Sequence, residues 1–251
     1  LQAGDRLIAV DGVQISGLTV EGVRDLLPRT EAATTTLTLL RDGNQLQIQT
    51  ASETHLSRSL GSTNQIAYLN LREYTTVSAD RVRNDYQSLV SAGSGGTGGL
   101  ILDLRQNGGG SLSGAWSLTD FFGPGSFDNQ IMFSLQQQSQ TTDYRFGVYG
   151  SNLGITDPSK FVILIDSSSA SASELTSAAL KDLGIATLMG GQSYGKGVGQ
   201  NVVGLLDGSG AYITSFELLS PLGNSWHNLG VSPDYSLSTT LPATPTDDTL
   251  L

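Results

Sequence analysis

The chain has 251 residues, a formal net charge of −10, 38% hydrophobic residues and no cysteine. That length holds one large domain, or a small one beside a medium one. The acidic balance argues against nucleic acid as the main partner, because phosphate binding needs clustered Lys and Arg. Lack of cysteine removes disulfides and thiolate metal sites, and no apolar run approaches the roughly 18 residues that signal a membrane span.

The first residues, Leu1-Gln2-Ala3-Gly4-Asp5, carry neither an initiator Met nor a targeting pattern. They are expected to belong to a fragment or a processed form and do not fix the compartment. Arg6–Val10 reads as a strand, followed by the Asp11-Gly12 turn. The spacing of Val20, Val23, Leu26 and Leu27, with Thr19 as N-cap and Pro28 just beyond, predicts a short helix over 19–27. Alternating residues at 36–40 and 45–49 flank Asp42-Gly43, the signature of a hairpin. Residues 1–50 are therefore expected to form one compact unit, and the polar stretch 51–64 a linker.

Further on, Ile66–Leu71 reads as a strand and 79–90 as a helix, with Val82, Tyr86, Leu89 and Val90 on one side. A glycine-rich loop over 93–99 feeds Leu100-Ile101-Leu102-Asp103-Leu104, a continuous apolar run suited to a buried parallel strand. Gly108-Gly109-Gly110 and a helix over 113–122 come next. The Gly-, Gln- and Ser-rich stretch 123–160 is expected to hold strands at 131–135 and 144–149. A strand at 162–165, a helix at 171–183 and a strand at 185–189 complete an alternation that predicts a parallel α/β layer. The main domain is expected over 65–241 and a loose tail over 242–251.

Chemistry concentrates in two places. Ser171-Ala172-Ser173-Glu174 fits the S-x-x-E capping box at a strand-to-helix turn. A serine there also lies beside unpaired backbone N–H groups and the positive end of the helix dipole, where an oxyanion is stabilised. On chemistry alone Ser167, Ser168, Ser169 and Ser173 compete with Ser171. Bases are scarce: the chain has three lysines, Lys160, Lys181 and Lys196, and two histidines, His55 and His227. The histidines stand far apart without a carboxylate pattern and read as structural. Lys196 lies between Gly195 and Gly197; alone it reads as a solvated turn residue, yet flanking glycines let another backbone come close. The glycine triple is either a simple turn or a set of N–H groups facing an anion. No Gly-Lys-Ser/Thr follows it, so it is not a phosphate loop. Metal ligation is not expected.

Taken together, five stretches resemble the carboxyl-terminal processing peptidases, also called tail-specific proteases. Leu1 to Leu7 with Asp11-Gly12 looks like the second half of that family's PDZ domain. The run from Gly99 to Gly110 looks like its LDLR-x-N-x-G-G strand and turn. Ser169 to Glu174 looks like its nucleophile turn, and Tyr194-Gly195-Lys196-Gly197 with Gln200 like its general-base segment. Asp207-Gly208-Ser209-Gly210 and Gly230-Val231-Ser232-Pro233-Asp234 look like its closing signature.

The resemblance implies an α/β protein with a crotonase- or ClpP-like catalytic domain and a partial, N-terminally truncated PDZ domain. It implies a serine endopeptidase acting on C-terminal or unfolded segments of protein and peptide substrates, with Ser171 as nucleophile and Lys196 as general base. The lysine must be largely neutral to accept the serine proton, and burial is expected to favour that form. Gln200 is expected to orient Lys196. The oxyanion hole is expected from the N–H groups of Ala172 and Gly109, and Asp182 is expected to give structural support. No cofactor or metal is required. The resemblance also implies a periplasmic or other extracytoplasmic setting, and the sequence leaves the oligomeric state open. Two rivals remain at this stage, a pseudoprotease that binds peptides without cleaving them and a crotonase-type acyl-CoA enzyme. The Asn70-Leu71-Arg72-Glu73-Tyr74 stretch is more polar than the family's Phe-containing version, so substrate lining is expected to differ there.

Overall fold

Two Asp-Gly dipeptides set the pattern of the N-terminal region. Asp11 and Gly12 have φ of 48° and 80°, and Asp42 and Gly43 have φ of 49° and 80°. Two consecutive positive φ values make the tight turn whose twist matches that of paired strands. They connect β1 (Arg6–Val10) to β2 (Val13–Gln14), and β3 (Thr34–Arg41) to β4 (Asn44–Ala51). The four strands form an antiparallel sheet in the order β2-β1-β3-β4. Its small core is Val10, Leu37 and Leu39, with Leu7, Ile15, Leu26 and Ile48 packed against them.

The computed structural model describes residues 5–18, 23, 26, 34–51, 55–60, 66–75, 77–91, 98–148, 157–205 and 209–237. Of the helix expected over 19–27, Val23 and Leu26 are helical and the rest lies outside the described residues, as does the tail expected over 242–251. The chain divides into two units. The first comprises 1–54 and 201–213, the second 55–200 and 214–251.

In the second unit the elements are β5 (His55–Leu60), β6 (Ile66–Leu71), α1 (Ser78–Ser91), β7 (Gly99–Asp103), α2 (Leu112–Phe122), β8 (Ile131–Gln137), β9 (Gln140–Arg145), β10 (Phe161–Ile165), α3 (Ala172–Asp182) and β11 (Thr187–Gly190). They are followed by β12 (Val198–Gly204) and β13 (Gly210–Leu219), whose outer residues 201–213 group with the first unit, and then by β14 (Tyr235–Ser236). A six-stranded sheet runs β14-β11-β10-β7-β6-β5, parallel except for β5, which pairs antiparallel with β6. A second sheet has the order β12-β13-β8-β9.

The alternation of strand and helix behaves as the sequence predicts, and three corrections are local. Residues 51–64 are not simply a linker: His55–Leu60 forms edge strand β5. An edge strand is held by one ladder of backbone bonds and needs few apolar residues, which is why this stretch reads as loop. The strand expected over 144–149 is observed at Gln140–Arg145, because Gln138 takes a positive φ of 53° and closes a tight hairpin with β8. The strand expected over 185–189 is observed at Thr187–Gly190.

α2 packs against both α1 and α3. Leu118 and Phe122 of α2, Leu100 and Leu102 of β7, and Phe161 and Ile163 of β10 are fully or almost fully buried. Phe122 and Phe161 meet with ring centroids 4.8 Å apart, and burying each such ring stabilises the fold by about 1.5–3 kcal/mol. This core fixes three neighbouring strands, β7, β10 and β11. In open parallel sheets the loops at the carboxyl ends of the strands build the site, and here those loops carry the glycine triple, Ser171 and Lys196.

Candidate active site

Between β10 and α3 the chain turns through Asp166 to Ala170, and the turn is tied at almost every residue. Asp166 Oδ1 accepts from the N–H groups of Gln106, Ser168 and Ser169 at 3.0, 2.9 and 3.1 Å. The buried Ser169 hydroxyl donates to the Leu104 carbonyl at 2.8 Å. Ala170 N and Ser173 Oγ both donate to the Asn107 carbonyl, at 3.0 and 2.9 Å. Ser169 and Ser173, rivals of Ser171 on chemistry alone, are thus fully buried and spent on backbone acceptors.

Ser171 sits at the N-cap of α3 with φ 56° and ψ −112°. This is a conformation that non-glycine residues avoid, at a cost of order 1–3 kcal/mol. The side chain is half-buried, and the following Ala172 N–H has no acceptor among the described residues. Gly109 closes one side of the turn. It has φ 103°, and a Cβ placed on it would lie 2.8 Å from Ser171 Cβ and 2.8 Å from the Ala170 carbonyl oxygen. Only glycine fits, on both counts. The Gly109 N–H donates to Asn107 Oδ1 at 2.9 Å, so the donor expected for an oxyanion already has an internal acceptor.

Asn107 and Tyr74 hold the triple in place. Asn107, fully buried, donates through Nδ2 to the Leu71 carbonyl at 2.8 Å. Tyr74 N donates to the Gly109 carbonyl at 2.9 Å, and Ser111 N donates back to the Tyr74 carbonyl at 2.8 Å. The Tyr74 hydroxyl donates to Thr176 Oγ1 on α3 at 2.9 Å. Burial pushes that hydroxyl well above the ordinary tyrosine range, so it stays a neutral donor. Below them Asp103 pairs with Arg105 and accepts from the Tyr68 hydroxyl at 2.6 Å. Burial first, and then the Asp103 charge, raise the pKa of that phenol as well.

Lys196 follows β11 in a loop pressed against the segment 226–230. The Gly195 carbonyl accepts from Asn228 N at 2.8 Å, and the Gly197 carbonyl from Leu218 N at 2.8 Å. A Cβ on Gly197 would lie 2.8 Å from His227 N, so the close approach expected from the flanking glycines is present. The Lys196 ammonium donates to Gln200 Oε1 at 3.5 Å, a long bond in an exposed position. Among the described residues no hydrogen bond joins Lys196 to the Ser171 hydroxyl. His227 backs the loop through its main chain, and its Nδ1 is buried without a hydrogen-bond partner among the described residues. The side chain of His55 lies outside the description.

Glu174 connects the two arms. Its side chain is 1% exposed. Oε2 accepts from Ser171 N and from Lys196 N, each at 2.8 Å. Oε1 accepts from Gly195 N at 2.6 Å and from the Ser193 hydroxyl at 2.5 Å. Two backbone nitrogens bonded to one oxygen at 2.8 Å are at most twice that distance apart, which brings the Ser171 and Lys196 backbones within reach of a lysine's four-carbon stem. The sequence shows Glu174 only as half of a capping box, and the S-x-x-E signal predicts the Ser171 N–H bond but not the other three.

Asp182 ends α3. At 1.5 Å rise per residue it stands about 16 Å along the helix from Ser171. It does not join the site, and its Oδ2 is buried without a hydrogen-bond partner among the described residues. The neighbouring Lys181 pairs with Asp234 at 2.9 Å and donates to the Ser232 carbonyl at 2.7 Å. Asp234 in turn accepts from Leu188 N of β11 at 2.9 Å.

The model of peptidase family S41 matches residues 65–237, well over half the chain. The chain belongs to peptidase family S41. It is 32% identical over 248 residues to a carboxy-terminal-processing protease of Bartonella bacilliformis, covering 96% of this chain and 55% of that protein. It is 28% identical over 255 residues to a chloroplastic C-terminal processing peptidase of Tetradesmus obliquus, covering 94% and 53%. Among solved structures, a photosystem II D1 C-terminal processing protease superposes with a TM-score of 0.64 at 25% identity, covering 94% of this chain and 64% of that one. The chain spans about half the length of these two curated relatives. Among the described residues no helix is long and apolar enough to cross a membrane.

Proposed function

We propose that this chain carries the catalytic centre of a carboxyl-terminal-processing serine endopeptidase, with Ser171 as nucleophile and Lys196 as general base. The observation that carries this reading is the single carboxylate oxygen of Glu174, which accepts from the N–H groups of both Ser171 and Lys196. The core is of the crotonase or ClpP type, and the N-terminal sheet corresponds to part of a PDZ domain. The substrates are C-terminal or unfolded segments of proteins, met outside the cytoplasm.

In the mechanism Lys196, as the free amine, takes the Ser171 proton while Ser171 Oγ attacks the peptide carbonyl. The tetrahedral oxyanion is held by the Ala172 N–H and by Gly109, whose N–H is shared with or released from Asn107 Oδ1. Collapse expels the amine of the leaving peptide, which takes the proton back from Lys196 and leaves an acyl ester on Ser171. Water, deprotonated by Lys196, then attacks the ester, and Lys196 gives that proton to Ser171 Oγ as the acid leaves. Gln200 orients the lysine through its amide oxygen. No step needs a metal or a cofactor.

Only the free amine accepts a proton, so the peptidase rate on casein should climb with pH and stay high under alkaline conditions until unfolding. Lys196→Arg should be inactive at every pH, because a guanidinium stays protonated. The double variant His55→Ala, His227→Ala should keep the wild-type profile. An active Lys196→Arg enzyme, or a profile that collapses without the histidines, would rule out the Ser–Lys assignment.

A further inference from the structure

Glu174 holds four donors on two oxygens, and one of them links it onward. The Ser193 hydroxyl donates to Glu174 Oε1 at 2.5 Å and accepts from Val231 N at 2.6 Å. Ser193 is itself buried, and its N–H donates to the Val231 carbonyl at 3.2 Å. A chain of bonds thus runs from Val231 through Ser193 and Glu174 to the backbones of Ser171 and Lys196. Each oxygen of Glu174 accepts twice, which a carboxylate does readily. A glutamine cannot do this in either orientation, because its NH2 would face either the Ser171 and Lys196 N–H donors or the Gly195 N–H donor.

Among the described residues, the Lys196 ammonium makes only a long bond to exposed Gln200. What places the lysine relative to the serine is therefore the main-chain anchoring at Glu174, and a displacement of about 1 Å at such a base costs on the order of a hundredfold in rate. A residue used only to cap α3 needs the Ser171 N–H bond alone. The bonds to Gly195, Lys196 and Ser193 add nothing to the helix start.

We propose that Glu174, together with Ser193, is the positioning pair of this site: it sets the separation of the Ser171 and Lys196 backbones and so determines whether the general base can reach the nucleophile. This rests on the Ser–Lys reading above, and neither residue touches the substrate.

The test is a double-mutant cycle on the full chain, read by the rate at which a fluorophosphonate labels Ser171, with kcat and KM measured on a casein-derived peptide. Glu174→Gln, Ser193→Ala and Lys196→Ala are made singly, and the first two are also combined with Lys196→Ala. Ser193→Ala removes a single hydroxyl and is expected to stay folded by circular dichroism. It should lower kcat about tenfold or more with KM within about twofold. Glu174→Gln should lose more, despite being isosteric. In the Lys196→Ala background both effects should shrink to less than about twofold, since the alignment they provide is already useless.

Equal losses with and without Lys196 would overturn the proposal, as would a folded Ser193→Ala enzyme with wild-type kcat. If Glu174→Gln does not fold, the Ser193→Ala cycle decides alone. Failure of the Ser–Lys reading itself looks different: wild type would then cleave casein without being labelled at Ser171, or would be unaffected by Lys196→Ala.

Discussion

The two arms of the site are built in opposite ways. The serine arm is anchored at nearly every residue: Asp166, Ser169, Ala170 and Ser173 all bond to the strand-end loop that carries Asn107. It holds Ser171 in an unfavourable backbone conformation against Gly109. The lysine arm is anchored just as firmly at its main chain, through Glu174 and the 226–230 segment, but its side chain ends in one long, exposed bond. Ser171, the proposed nucleophile, is thus fixed down to its Cβ, whereas Lys196, the proposed base, is fixed only at its root. A serine nucleophile needs a set direction and a set approach to its oxyanion donors. A lysine has to deliver only one nitrogen, and a flexible stem does that once the root is placed.

The largest effect expected of this contrast is at Ser171. Ser171→Ala should lower casein hydrolysis by at least about a thousandfold while the circular dichroism spectrum stays that of wild type, since the scaffold of the arm is main chain and neighbouring side chains. Wild-type turnover in this variant would move the nucleophile elsewhere. Next comes the shared anchor. Asn107→Ala leaves the Leu71 carbonyl and the Gly109 N–H unpaired in the interior, at about 1–3 kcal/mol for each buried group. Its urea midpoint should drop accordingly and activity should fall with it; an unchanged midpoint would mean that the serine arm is held by something other than Asn107. The smallest effect is expected at the tip of the lysine arm. Gln200→Ala should reduce kcat only a few-fold, consistent with one exposed hydrogen bond, and leave the cut sites of casein unchanged by mass spectrometry. A change of cut sites at constant rate would place Gln200 against the substrate instead.

Much of the α/β layer is legible because its signals are local. A run such as Leu100 to Leu104 has no polar face, and strands buried on both sides need none. The edge strand His55–Leu60 escapes detection because its partner supplies the order and its own residues do not. At the site, glycines and a capping box point to Ser171, Gly109 and the Lys196 loop, since each reports a demand made on the chain at its own position. Asn107, Tyr74 and Ser193 carry no such mark. Their roles depend on bonds to residues distant in sequence, such as Asn107 to Leu71, Tyr74 to Thr176 and Ser193 to Val231. Glu174 is the instructive middle case, since the motif that reveals one of its bonds hides the other three.

The backbone at Ser171 also bears on the history of such a chain. A position at φ 56° and ψ −112° is where glycine rests most easily, and the benefit that a serine there brings to the fold is its place in the capping box with Glu174, where glycine costs only a few tenths of a kcal/mol. Drift without selection on the hydroxyl would therefore favour glycine at this turn, while the spacing at Gly109 forbids the reverse exchange on the other side. Descendants that abandon the chemistry are expected to become slightly sturdier, and to record the loss at this one codon long before the surrounding architecture changes.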